Sequence, residues 1–184
     1  KKINRVAAAV FWGQVVAVAL QLQARNPGFD GKITLIAVKG AAVTGLQLRT
    51  DNVTDLGPLR ALARLRTLDC SGSAPGKGKL IDLTPLTALP LTELACNDTR
   101  VADLSPLKGM HLTTLSCDFT QVADLTPLEG MQLTVLGLAA TKVSDLSPLK
   151  GMPLRELACD FEPGRDAAIL RSIKTLQKIN GKPV

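Results

Sequence analysis

Residues 91–153 read LTELACNDTRVADLSPLKGMH (91–111), LTTLSCDFTQVADLTPLEGMQ (112–132) and LTVLGLAATKVSDLSPLKGMP (133–153), three consecutive units of 21 residues. The register extends both ways. Its first position falls on Val43, Leu65, Leu91, Leu112, Leu133, Leu154 and Leu176, at spacings of 22, 26, 21, 21, 21 and 22. Only the second unit is stretched, mainly by SGSAPGKGK at 71–79. The shared pattern is L-x-x-L-x-[C/L]-x-x-T-x-V-x-D-L-[S/T]-P-L-x-G-M-x, and a fixed period of this length is the signature of a repeat architecture.

Each part of the pattern has a physical task. Positions four and six project to one side of an extended backbone, so Leu94 with Cys96 and Leu115 with Cys117 face a core, and this part of the unit is a strand. Ser105, Thr126 and Ser147 stand before Pro106, Pro127 and Pro148, the arrangement of a capping hydroxyl before a proline at the first helical position. A short helical turn follows, closed by Gly109, Gly130 and Gly151, and Met110, Met131 and Met152 return to the core, as do Leu62 and Leu89. One strand and one turn cannot bury their own apolar face, so neighbouring units must stack and share it. The product is an α/β solenoid, with parallel strands at ~4.8 Å steps lining a concave side and bulkier turns on the convex side.

The L-x-x-L-x-C/L-x-x-T-x-V core resembles a leucine-rich repeat, and V-x-D-L-S-P-L-K-G is similar to the V/I-x-D-I-S-P-L segment of bacterial internalin-type repeats. The closer likeness is to the leucine-rich repeat proteins abundant in planctomycete bacteria. There N-P-G-F-D-G precedes the repeats, L-S-P-L-K-G-M-P-L recurs within them and L-R-S-I-K-T-L-x-x-I-N-G-K-P follows them; here these are residues 26–31, 146–154 and 170–183. The resemblance covers residues 26–184 and implies a binding module, in that group often attached to a kinase or other signalling protein, and no reaction. Thr at position nine replaces the more usual Asn, so a side-chain ladder there would use hydroxyls, and Leu138 replaces Cys in one unit.

An open solenoid exposes its core and an unpaired edge, so both ends need covers. The run 6–22 is apolar except for Gln14 and Gln21, and Val6, Val10, Phe11, Val15, Ala19 and Leu22 recur at helical steps until Asn26-Pro27-Gly28 stops them. Its Lys-Lys-Ile-Asn-Arg flank is like a secretory n-region, but 17 residues with Gly13 and two Gln fall short of a membrane span, and no small-residue cleavage site follows. The chain opens on Lys, which suggests a piece of a longer protein. Residues 33–38 and 43–48 flank Lys39-Gly40 as a hairpin. At the other end, 166–176 is amphipathic through Ile169, Leu170, Ile173 and Leu176, the last turn expanded into a helix. The expected layout is a single domain with an N-terminal cap of helix and edge strand at 1–42, the strand forming a hairpin with the first repeat strand, repeats at 43–175, including a C-terminal helical cap, and a strand-like cap at 176–184.

Composition narrows the chemistry. The 184 residues are 46% hydrophobic and 21% charged, which suits one folded domain, but only 3% aromatic, with no Tyr, one Trp, one His and four Phe. Catalysis built on His pairs or Tyr has almost no material, and the reading is non-enzymatic, without cofactor. The net charge is +6, with Lys1, Lys2 and Arg5 clustered at the start and Arg165, Arg171, Lys174, Lys178 and Lys182 at the end. Terminal clusters without interleaved aromatics argue against nucleic acid.

Cys70, Cys96, Cys117 and Cys159 all occupy position six, so they form a row in the core. With ends about 19 Å apart at four strand steps, they cannot converge on zinc. Free thiols favour a reducing, cytoplasmic compartment. Asp55, Asp82, Asp103, Asp124 and Asp145 repeat at position thirteen without a calcium loop around them, and each is expected to accept backbone N–H groups at the turn entrance. The 71–79 loop fails the phosphate-loop pattern and reads as a flexible insertion. His111 reads as a solvent-facing variant of Pro90 and Pro153.

The informative surface is the concave one, where positions three, five and seven project. From Val43 through the unit starting at Leu154 these sites hold the acids Asp69, Glu93, Asp118, Glu156 and Asp160 and the base Arg49, where composition would give about 1.6 acids and 2.2 bases. Phe119 and Phe161 follow two of the acids. These seven residues, the five acids and two Phe, are the candidate contacts for a protein or peptide of basic or dipolar character. The alternatives left open are a small-molecule or enzymatic site near 71–79, and a structural spacer within a larger signalling protein.

Overall fold

The computed structural model describes residues 5–184, with side chains from Phe11 onward. Lys1 and Lys2, and the side chains of Arg5, Val6 and Val10, lie outside the described residues. Helix α1 (Arg5–Arg25) turns Phe11, Val15, Val18 and Leu22 into the core. Val18 takes the inward place expected for Ala19, which is half-buried. Asn26 ends the helix and is itself buried. Its Nδ2 donates to the carbonyls of Leu22 (2.8 Å) and Asp55 (2.9 Å), while its Oδ1 accepts the N–H groups of Thr54 (2.8 Å) and Asp55 (2.9 Å). One amide thus joins the helix end to the first unit.

Strands β1 (Ile33–Lys39) and β2 (Ala42–Leu48) form an antiparallel hairpin. Then β3 (Thr67–Asp69), β4 (Glu93–Ala95), β5 (Thr114–Ser116), β6 (Val135–Leu138) and β7 (Glu156–Cys159) follow in parallel, one per unit. The C-terminal pieces β8 (Lys178–Ile179) and β9 (Lys182–Pro183) complete a nine-stranded sheet in strict sequence order among the described residues. Register is preserved throughout: Leu46, Leu68, Leu94, Leu115, Leu136, Leu157 and Ile179 pair in one row. A one-residue slip would turn that row to solvent, so the leucines themselves lock the stacking.

Behind the sheet the core is a second set of aliphatic rows, Leu56, Leu83, Leu104, Leu125 and Leu146 beside Leu59, Leu86, Leu107, Leu128 and Leu149, all buried. They are carried by short 3-10 turns at Gly57–Ala61, Thr84–Leu86, Ser105–Leu107, Thr126–Leu128 and Ser147–Leu149. The hydroxyls do not cap these turns as expected. Ser105, Thr126 and Ser147 are already the first helical residues and their side chains make no capping bond. The preceding Asp does that work: Asp55, Asp82, Asp103, Asp124 and Asp145 each accept the N–H two residues on, at 2.6 to 2.8 Å. The Ser and Thr hydroxyls donate to the same carboxylates.

The position-nine threonines also bond locally rather than from unit to unit. Thr99, Thr120 and Thr141 donate to the carbonyls of Cys96 (2.6 Å), Cys117 (2.6 Å) and Leu138 (2.8 Å) in their own units. Hydroxyl bonds between units do occur, but from other positions: Thr113 and Thr134 donate to Thr92 O (3.2 Å) and Thr113 O (3.1 Å). Helix α2 (Pro163–Ser172) begins ahead of Asp166, because Pro163 suits a first helical turn. Buried Asp166 accepts the Glu162 N–H (2.8 Å) and pairs with Arg165 Nε (2.7 Å).

Candidate functional site

The five candidate acids lie on or just beyond β3, β4, β5 and β7, and Phe119 and Phe161 follow Asp118 and Asp160 past the strand ends. The small residues Ala95, Ser116, Gly137 and Ala158 lie level with one another across β4 to β7, so the middle of the face is a shallow trough. Its deepest part, about 210 Å³, is lined by Ser116, Asp118, Val135, Gly137, Glu156, Ala158 and Lys178. Gly137 keeps it open: a Cβ there would lie 2.8 Å from both Asp118 Oδ2 and Ser116 Oγ.

The acids differ in what else they hold. Glu93 is exposed and touches only the Thr67 hydroxyl at 3.4 Å. Glu156 pairs with Lys178 at 2.7 Å, both side chains about half exposed. Asp69 accepts the Gln47 amide at 2.5 Å and the Ser71 N–H at 3.0 Å. Asp118 does not simply face solvent; it is half-buried, and its Oδ1 accepts the Ala139 N–H at 2.7 Å. Asp160 is exposed but accepts the Ala140 N–H at 2.7 Å. Both therefore tie strand ends of neighbouring units together, a role periodicity could not reveal.

Phe119 and Phe161 are 47% and 38% exposed, so neither is packed under a loop. Phe119 also has φ +56, as do its stack neighbours Asp98 (φ +59) and Ala140 (φ +54). A left-handed backbone is costly for a bulky side chain, and here it follows directly on Asp118, which lines the trough. The inter-unit bonds Asp98 N–H to Asp118 O (2.9 Å) and Phe119 N–H to Ala139 O (2.8 Å) hold that conformation.

Two polar features escaped the sequence. Asn97 Oδ1 accepts the Asp118 N–H (2.8 Å) and lies 2.8 Å from the Ser116 hydroxyl, bracing the trough floor. The buried Asp98 Oδ1 has no hydrogen-bond partner, and burial together with nearby Asp118 raises its pKa. An acid at position eight, where Phe and Ala stand in the next units, was the only available sign.

The remaining candidates resolve structurally. All four thiols are buried and free, and burial pushes Cys96 up to about 12 and Cys159 to about 11. Groups held so firmly protonated are poor nucleophiles and metal ligands. Among the described residues no three His, Cys, Asp or Glu side chains are placed to share a metal ion. His111 is exposed. The 71–79 loop is not a loose insertion: its Gly72 and Gly78 N–H groups donate to Asn97 O (2.8 Å) and Asp98 O (3.0 Å), and Ser73 binds Asp51 through both N–H (2.8 Å) and hydroxyl (2.5 Å). Those donors are spent, so they cannot cradle an anion. A cleft of about 390 Å³ lies nearby, lined by Lys32, Gln47, Arg49, Asp30, Asp51 and Asn52 among others, with mixed charge.

No protein-family model matches the chain, nor does any curated protein sequence. Solved structures do. An internalin (InlF) of Listeria monocytogenes has a TM-score of 0.57 at 20% identity over 89% of this chain, and the chain spans 54% of its length. Internalin C2 of the same organism gives 0.56 at 26% identity, covering 74% of this chain and 80% of that one. A leucine-rich repeat protein of Leptospira interrogans gives 0.53 at 18% identity, covering 69% and 34%. The fold is that of a bacterial, internalin-like leucine-rich repeat solenoid.

Proposed function

We propose that this chain is a non-enzymatic interaction module whose concave sheet binds a protein or peptide segment of basic or dipolar character. The observation that carries the reading is Phe119, an exposed ring held on left-handed backbone directly after Asp118, which lines the open trough. Exposed aromatics beside a desolvating surface are the commonest anchors of protein interfaces. Glu93, with no backbone duty, and Asp69, Glu156 and Asp160 along the same face supply a field that steers cationic groups. Asp118 contributes charge while bracing Ala139, and Phe161 offers a second ring at the far end. Lys178 gives that end opposite sign, which suits a dipolar partner lying along the strands. The internalin likeness supports the reading through its fold.

The test is the association rate of a partner captured by pull-down. For Glu93→Gln with Asp160→Asn, both of which retain an oxygen acceptor, the rate should fall relative to the wild type. It should also fall for the wild type as salt rises from low to physiological strength. Phe119→Ala should speed dissociation. An affinity indifferent to salt and to all three substitutions would move the site to the convex turns or the 71–79 loop.

A further inference from the structure

Helix α1 carries a second apolar stripe on the side away from the core. Trp12, Val16 and Leu20 recur at steps of four residues and are 56%, 52% and 59% exposed. At 3.6 residues per turn these three fall within about 80° of arc, distinct from the arc of Phe11, Val15, Val18 and Leu22. Exposed Gly13, Ala17 and Ala24 extend the stripe, and Gln23 is the one polar residue within its arc, at the C-terminal end of the helix. The helix is held on the solenoid by Gln14 Nε2, which donates to Ala61 O at 2.7 Å, so its outward face is fixed. Three large apolar side chains in line on a fixed surface mark an interaction site rather than scattered exposure.

Charge identifies the occupant. Residues 1–29 contain Lys1, Lys2, Arg5 and Arg25 and no Asp or Glu, and nothing between Arg5 and Arg25 is charged. Arg25 is paired with Asp55 at 3.1 Å, so the uncompensated positive charge of this stretch belongs to its N-terminal side. Arg64 stands in the cleft beside Gln14. An apolar helical face with a basic N-terminal flank is complementary to an anionic lipid surface, where acyl chains take the apolar groups and headgroup phosphates take the cations. A second copy of the helix fits worse, since residues 1–29 hold no Asp or Glu to meet those cations. Among the described residues no helix is long and apolar enough to cross a membrane, so the geometry is that of a helix lying on one.

We propose that the outer face of α1 is a docking surface for anionic lipid, with Trp12, Val16 and Leu20 at the headgroup boundary and the flanking basic residues on the phosphates. Trp12 is the chain's one tryptophan, so its emission reports this face alone. The 184-residue chain is mixed with phosphatidylglycerol vesicles and with phosphatidylcholine vesicles, and flotation and Trp12 emission are read. The chain should float with the anionic vesicles, with a blue shift, partitioning at least about tenfold more strongly than onto neutral ones. High salt should reverse it, and Val16→Glu with Leu20→Glu should abolish it while circular dichroism stays unchanged. If that pair unfolds the chain, Leu20→Ser alone should weaken the partitioning. Failure to float with anionic vesicles, flotation that survives the substitutions in a folded chain, or a dimer abolished by them without vesicle binding would each overturn the proposal.

Discussion

Asp98 holds a buried carboxylate oxygen with no donor, and its raised pKa makes a signed prediction. At neutral pH the ionised group is less comfortable folded than unfolded, so it subtracts from stability. That penalty fades as pH falls through the folded value, and is gone below the unfolded value near 3.8, where both states are protonated. Asp98→Asn should therefore raise the urea midpoint at pH 7, and its advantage over the wild type should shrink as the pH is lowered. Asp51, Asp55 and Asp166 have the opposite sign, lowered chiefly by bonds from the Ser73 hydroxyl, the Gly57 N–H and Arg165 respectively, and lose their contribution on acidification. An advantage that grows toward acid would contradict this account of Asp98. The thiols give a second test at this scale. All four should resist a thiol reagent in the native state and react after denaturation, and Cys117→Ser should cost about 1–3 kcal/mol for a poorly satisfied buried hydroxyl. Rapid native reaction at Cys96 would mean the core opens far more easily than its packing implies.

Among elements, the end of α1 is joined to the first unit by an unusual concentration of bonds on one side chain. Asn26→Ala would leave the Thr54 and Asp55 N–H groups and the Leu22 and Asp55 carbonyls without that partner, and should cost about 1–3 kcal/mol by thermal or urea unfolding. Asn26→Asp, which keeps the acceptor but not the donor, should recover part of the loss. Strands and turns were legible because each unit repeats the same period-two leucines and the same Pro and Gly punctuation. The part of the Asp before each turn was legible too, but that of the hydroxyl was not, because a proline fixes its own φ without saying whether the residue before it is a cap or already helical. The carboxylate two residues upstream of each hydroxyl won that contest by reaching the free N–H. Likewise the tie from Asp118 to Ala139 depends on Gly137 leaving room for a carboxylate to lean across, a relation between units that no single unit displays.

Over the whole molecule the two faces of the solenoid do different work. The convex side is built from closed turns whose N–H groups are taken by Asp side chains, whereas the sheet side presents acids and small residues on a rigid register. Ala95, Ala139 and Ala158 lie on that side. Ala102 and Ala123 are exposed just ahead of the convex turns at Ser105–Leu107 and Thr126–Leu128. Their methyl groups are independent reporters of the two faces. The most direct measurement is the methyl NMR spectrum of the chain titrated with its captured partner. The predicted result is movement of the Ala95, Ala139 and Ala158 methyl signals with those of Ala102 and Ala123 unmoved; shifts confined to Ala102 and Ala123 would contradict a concave binding face.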